Sequence, residues 1–292
     1  MTCGCSRELI YRPGLRHYCR PAIHLPKEYN LDLTHVDYQR DQAIAVICLN
    51  QPDSGNTLSR QMALDLLSAA SEAQNDPQVR AVVFSAHGPM FSFGGDLKEF
   101  QHFGTDTEQL ASVADRWHEA QHCLLTMPKP VVVGVNGMAA GGGVPMTLVG
   151  DIVLVDETAR YRLAYTAAGL SPDGGSTWLL PRLIGLRRTQ ELIFENRQLS
   201  AIEAVEWGLA TRTVPQGTAL KAAIALAHTF AKGPTQAFAS ARQMLHASFG
   251  NDFMAQTALE TREIGANMTG RDGQEGLEAF INKRAPVFTG KQ

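Results

Sequence analysis

Long hydrophobic runs are missing from this chain. No apolar segment reaches the length that spans a bilayer, and the opening MTCGCSRELIYRPGLRHYC has no apolar core of the kind a secretory signal needs. A cytoplasmic protein is expected. Charge of one sign is also scarce: the net charge is -3 over 292 residues and no run of five like charges occurs, so neither nucleic acid nor a membrane is expected as a partner. Cysteine is sparse and odd in number, five in all, too few for a disulfide framework. Cys3, Cys5 and Cys19 cluster near His17, but their spacing fits no familiar zinc pattern, and no metal is expected. The alternative is a reduced extension whose Arg7, Arg12, Arg16 and Arg20 suit packing on a neighbouring subunit. What is present, 44% hydrophobic and 19% charged residues, is the composition of a soluble globular protein suited to small-molecule chemistry.

After Pro26 strand and helix patterns alternate. AIAVICLN (43–50), RAVVFSA (80–86), PVVVGVN (130–136) and DIVLVD (151–156) read as strands, RAVVFSA being a continuous apolar run suited to a buried sheet position. TLSRQMALDLLSAASEAQ puts Met62, Leu66, Ala70 and Ala73 on one helical face, and residues 108–125 do the same with Leu110, Val113, Trp117 and Leu124. From about Thr218 helical patterns follow one another with no strand between, as in an appended region that packs between subunits. The predicted organisation is an extension over 1–34, an α/β core over 35–217 and a helical region over 218–292. No internal sequence repeat is visible.

Two glycine-rich stretches, MFSFGGDLKEF (90–100) and VNGMAAGGGVPM (135–146), each stand between a strand and a helix. Glycine there permits positive φ and close approach of backbone to ligand, and N–H groups at a helix start make an anion site; tight strand-to-helix packing is the competing explanation. Neither stretch matches a dinucleotide or P-loop fingerprint. A third, GLSPDGGSTWLLP (169–181), holds one carboxylate, Asp173, before an apolar helical run. An aspartate in that place suits N-cap duty.

In their order, FSFGGDLKEF, KPVVVGVNGMAAGGG, GLSPDGGSTWLLPRLIG, ENRQLSAIEAVEWGLATRTVP and EGLEAFINKR resemble the enoyl-CoA hydratase/isomerase family, the crotonase superfamily, from about Val36 to Ala285. The resemblance implies an α/β, crotonase-like spiral of ββα units with a C-terminal helical trimerisation region. It also implies acyl-CoA thioester substrates, homotrimers or dimers of trimers, and no cofactor beyond the coenzyme A carried by the substrate. Two backbone N–H groups of the family bind the thioester oxygen, and the matching positions are Gly95 and Gly142. Donors fixed by the backbone need no reorganisation as charge develops, which suits that role. Phe93, Asp96, Lys98, Tyr165, Phe280 and Lys283 fall where substrate contact is implied, Lys283 reaching a neighbouring subunit's nucleotide.

Departures from the family pattern carry as much information. Pro145 and Tyr165 stand where the hydratases have their two catalytic glutamates, so water activation between two carboxylates is hard to build here. Asp173 remains, matching the aspartate of dienoyl-CoA and ring-opening isomerases and the nucleophile of 4-halobenzoyl-CoA dehalogenases. His118 matches a histidine of those dehalogenases, while Tyr165 replaces their tryptophan. Both uses of Asp173 call for burial without an adjacent cation, and no lysine or arginine lies within eight residues of it. His118 and His122 are also spaced to chelate a metal, although no third ligand is in view. The expectation is an isomerase with Asp173 as acid/base. Hydration by unusual groups, aryl-CoA dehalogenation and a non-catalytic acyl-CoA binder stay open.

Overall fold

The computed structural model describes residues 32–291. The cysteine, histidine and arginine positions of the leader lie outside them. A hairpin of β1 (Val36–Asp41) and β2 (Ile44–Leu49) opens the fold, turning at Gln42 with φ 55°. Helix α1 (Arg60–Asn75) follows, capped by the Ser59 hydroxyl, which accepts the Met62 N–H. Then come β3 (Ala81–Ala86), β4 (Met90–Ser92), α2 (Leu97–Phe103) and α3 (Thr107–Thr126). The next unit is β5 (Val131–Val135), β6 (Met138–Ala140) and α4 (Gly143–Thr147), and the next β7 (Ile152–Asp156), β8 (Arg160–Arg162) and α5 (Ser176–Phe194). The chain continues with β9 (Leu199–Ser200), α6 (Ala201–Trp207), β10 (Arg212–Val214), α7 (Ala219–Ala231), α8 (Thr235–Ala247), α9 (Phe253–Thr269) and α10 (Arg271–Ile281).

Two sheets result, ordered β1-β2-β3-β5-β7-β10 and β4-β6-β8-β9. The first strand of each β–β–α unit (β3, β5, β7) enters the large sheet and the second (β4, β6, β8) the small one, with parallel pairing in both. Each unit thus repeats its predecessor's path one strand further on, the predicted spiral of ββα units. Strands β3 and β5 are buried along their whole length, as continuous apolar runs require. Met62, Leu66, Ala70 and Ala73 face inward on α1, and Val113, Trp117 and Leu124 do so on α3. Leu110, on the same α3 stripe but in its first turn, is left 44% exposed.

Helix α7 covers the other face of the large sheet: Ala223, Ala227 and Ala231 pack on Ile44, Ala81, Val83, Val132 and Leu154. Alanine at every fourth position lets the helix sit close to the strands. At Gly134 a Cβ would come within 2.9 Å of the Ala219 carbonyl oxygen, so the closest approach is made where there is no side chain. The predicted boundary at 217/218 falls between β10 and this helix, while α8, α9 and α10 pack mainly on one another. Among the described residues no helix is long and apolar enough to cross a membrane.

Candidate active site

The first glycine-rich stretch leaves β4 and is laced to residues 51–58. Phe93 donates its N–H to Gly55 O (2.9 Å), Gly94 to the Ser92 hydroxyl (3.1 Å) and Asp96 to Leu58 O (3.0 Å). Between these tied neighbours, Gly95 alone donates its N–H to no protein acceptor among the described residues. The second stretch leaves β6 and starts α4. Gly141 donates to Arg162 O, Gly142 is the N-cap of α4, and the Gly142 N–H likewise has no protein acceptor among the described residues. The two stretches touch through bare backbone: a Cβ on Gly94, φ 83°, would stand 2.5 Å from the Gly142 nitrogen. The Gly142 amide is buried and the Gly95 amide half-buried, and an amide withdrawn from water without a partner costs free energy unless a ligand supplies one. Two such donors on adjoining loops, one at a helix start, fit an oxygen that gains negative charge.

Asp173 approaches from the loop before α5. Its carboxylate is not the helix cap: the N-cap is Gly175, with no side-chain bond, and it is the Asp173 carbonyl that accepts the Ser176 N–H at 3.2 Å. The side chain turns toward α3 instead, where its Oδ1 meets His118 Nε2 at 2.8 Å and also accepts the Gly174 N–H at 2.7 Å. Gly174 and Gly175 have φ of 64° and 70°, left-handed values that only glycine holds cheaply in succession. A Cβ on Gly174 would overlap the Trp117 ring and approach Pro145 Cγ at 2.8 Å, while a Cβ on Gly142 would stand 3.1 Å from the same ring. Trp117 therefore joins the Gly142 backbone to the residue after Asp173, and Pro145 completes the wall.

The expectation that no cation stands beside Asp173 is corrected by this geometry. Sequence distance concealed His118, which reaches the carboxylate from another element. The Asp173 hydrogen bond pushes the His118 imidazole up from its ordinary value, against burial, with the charges of Asp173 and Asp115 adding to the rise. Burial alone would raise Asp173, but the His118 bond, the Gly174 N–H and the imidazolium charge together bring it below the ordinary carboxylate value. Both shifts are in the direction of the ionised forms, imidazolium beside carboxylate. The Tyr165 phenol is pushed up first by burial and then by the Asp173 charge, and its hydroxyl is buried with no hydrogen-bond partner among the described residues.

These directions fix how the pair affects stability with pH. A raised histidine stabilises fully below its ordinary 6.5 and loses that contribution as pH rises through its folded value. A depressed aspartate stabilises above its ordinary 3.8 and loses that contribution as pH falls through its folded value. The melting-temperature advantage of the wild type over His118→Gln is therefore expected to be largest between pH 3.8 and 6.5 and to shrink on either side. Thermal unfolding of both proteins across pH checks this, and a constant gap would contradict an ionised pair.

Beside the pair a cleft of about 560 Å³ runs between α3 and the start of α5, with His118, His122, Leu125, Trp178 and Leu179 on its walls. Arg182 stacks on Trp178 at 4.0 Å and holds that ring. Around His118 and His122, as elsewhere among the described residues, no group of three possible metal ligands occurs, and His118 is engaged by Asp173. Other expected contacts lie apart. Asp96 caps α2, accepting the Lys98 and Glu99 N–H groups, and Lys98 is exposed. Phe93 is 47% exposed, its ring lying where a Cβ on Gly55 would be. Phe280 is 85% exposed, and among the described residues neither it nor Lys283 makes a hydrogen bond or ion pair with this site. Sequence reasoning took Trp117 for ordinary core and passed over Gln121. A glutamine on the apolar stripe of α3 was the available signal.

Residues 39–291 match the family model described as enoyl-CoA hydratase/isomerase. A probable enoyl-CoA hydratase of Rhodobacter capsulatus is 34% identical over 256 residues, covering 88% of this chain and 98% of that protein. The 1,2-epoxyphenylacetyl-CoA isomerase of Escherichia coli is 34% identical over 263 residues, covering 89% of this chain and 98% of that one. Among solved structures, a putative enoyl-CoA hydratase from Streptomyces coelicolor superposes with a TM-score of 0.86 at 29% identity, over 93% of this chain and all of that one. The chain belongs to the enoyl-CoA hydratase/isomerase family.

Proposed function

We propose that this member is an isomerase of acyl-CoA thioesters, with Gly95 and Gly142 binding the thioester oxygen and Asp173 moving the proton. The observation that carries the reading is the 2.8 Å His118–Asp173 pair at a site where Pro145 and Tyr165 replace the glutamates expected of a hydratase. In the forward step Asp173 takes a proton from the carbon next to the thioester or from its vinylogue. The C–H electron pair enters an enolate whose oxygen is held by the two N–H groups. The protonated carboxyl then returns the proton at another carbon, and the double bond moves with no gain or loss of water. His118 keeps the carboxylate ionised between turnovers. Coenzyme A is needed only as the substrate's carrier, and no separate cofactor enters the scheme.

The Escherichia coli relative named for an epoxyphenylacetyl-CoA isomerase supports this reading, and the relatives named as hydratases do not oppose it, because a hydratase needs a second acid that these positions lack. A second reading is favoured by the His118 contact itself. Asp173 would attack a haloaryl ring, halide would leave, and His118 would activate the water that cleaves the resulting ester. Tyr165 and Lys98 are assigned to the acyl-CoA, while Phe280 and Lys283 are assigned to a neighbouring subunit's nucleotide in a homotrimer or dimer of trimers. Phe253 (78% exposed), Met254 (73%), Phe280 (85%) and Ile281 (74%) leave large apolar side chains uncovered on α9 and α10, which supports assembly through these helices.

Incubating the protein with enoyl-, dienoyl-, epoxy- and haloaryl-CoA thioesters in deuterated water tests the assignment. The expected product is an isomer of unchanged composition carrying solvent deuterium. A product that has gained water would point to hydration and released halide to the second reading. Binding without turnover of any thioester would mean a non-catalytic binder.

A further inference from the structure

We propose that Gln121 is a positioning residue that orients the Asp173 carboxylate through Gly174, an inference that rests on Asp173 being the acid/base. Gln121 lies three residues after His118 on α3, only 5% exposed, among Val113, Trp117, Ala120 and Leu124. An amide there needs a partner to offset its lost hydration. It has one, since Gln121 Nε2 donates to the Gly174 carbonyl at 3.1 Å. The N–H of the same Gly174 donates to Asp173 Oδ1 at 2.7 Å. Gly174 and Gly175 are conformationally the freest residues of this loop. The peptide that carries that N–H is held on its carbonyl side, where Asp173 O accepts the Ser176 N–H and hydroxyl, but the peptide after it has no such local tie. That next peptide is held from outside the loop: Trp117 and Pro145 pack against Gly174, and Gln121 donates to its carbonyl, which limits rotation at the Gly174 Cα between the two peptides.

One helix therefore grips the loop twice, three residues apart. His118 takes the carboxylate itself, and Gln121 takes the residue that supplies the carboxylate's second donor. The charged and titratable groups facing Asp173 are His118, with Asp115 behind it on α3, and Tyr165 from the loop after β8. His122 and His246 line the cleft beyond. Gln121 does not titrate, so its effect on the pair comes through geometry.

Gln121→Met keeps length and bulk and removes only the donor. It is expected to lower kcat about tenfold or more with KM within about twofold, because the carboxylate is no longer held on line. The acidic limb of the kcat–pH profile should move to higher pH, since the Gly174 N–H favours the ionised carboxyl. The His118 ring-proton NMR titration, followed without substrate, should move down toward the ordinary 6.5. A lower melting temperature with kcat, the acidic limb and the His118 titration all unchanged would overturn the proposal, leaving Gln121 a packing residue. If Gln121→Met does not fold, Gln121→Asn, whose amide is drawn back by one methylene, is read by the same three measurements. Normal turnover by Asp173→Asn would remove the acid/base reading, yet the His118 titration in the Gln121 variant would still report whether Gln121 orients the pair.

Discussion

Asp173→Asn is expected to lower kcat by about 10²–10⁴-fold, the range of a lost general acid/base, while thioester affinity stays within about twofold. The substitution is close to isosteric. The asparagine carbonyl can still accept the Gly174 N–H, so the turn before α5 keeps its bond to the side chain. What disappears is the charge, and with it both the proton acceptor and the counterion of His118. The His118 imidazole, raised chiefly by its bond to Asp173, should return toward or below its ordinary 6.5, because burial then acts on it without that opposing contact. Steady-state kinetics, thioester titration and the His118 NMR titration form one test. The decisive contrary result is an Asn variant that turns over at the wild-type rate with its His118 titration visibly lowered. In that case the pair is broken and chemistry continues without it.

Element identity was legible where one physical preference dominated. Ala81 to Ala86 and Val131 to Val135 are apolar at nearly every position, which a strand buried on both faces requires, and α1 and α3 carry inward stripes at helical spacing. The spiral itself was not legible in residues 80–162. The repeated unit is a path rather than a sequence, with Met90–Ser92, Met138–Ala140 and Arg160–Arg162 alike only in pairing with one another. At the site, the two glycine-rich stretches announced exposed backbone, but not that Gly94 and Gly142 touch. Asp173 showed the opposite limit. Its local sequence matched an N-cap, and the chain placed Gly175 there instead because two left-handed glycines turn the carboxylate from the helix toward His118, fifty-five positions away in the chain. Contacts of that separation leave no local pattern, and only the family resemblance set His118 beside the chemistry of Asp173.

Gly94→Ala should be the most damaging single-methyl change at the oxyanion site. Gly94 sits at φ 83°, and its Cβ would come 2.5 Å from the Gly142 nitrogen and 2.8 Å from the Ala140 carbonyl oxygen. Both neighbours are backbone, so no side chain can swing aside; the loops must separate. Separation moves the Gly95 N–H away from the Gly142 N–H, and an oxygen held by one cannot be held by the other. The expected loss in kcat is about 10²–10³-fold, the effect of removing one oxyanion donor. Stability should fall as well, since a left-handed backbone costs a non-glycine residue about 1–2 kcal/mol before the clash is counted. Gly104→Ala separates these two effects. Gly104 also has positive φ, 57°, but a Cβ there meets nothing within 4 Å, so that variant bears backbone strain without prying the loops apart. It should melt somewhat lower and keep its kcat. If Gly94→Ala instead folds and turns over within about twofold of wild type, the two N–H groups do not act on one oxygen, and the thioester must be polarised elsewhere.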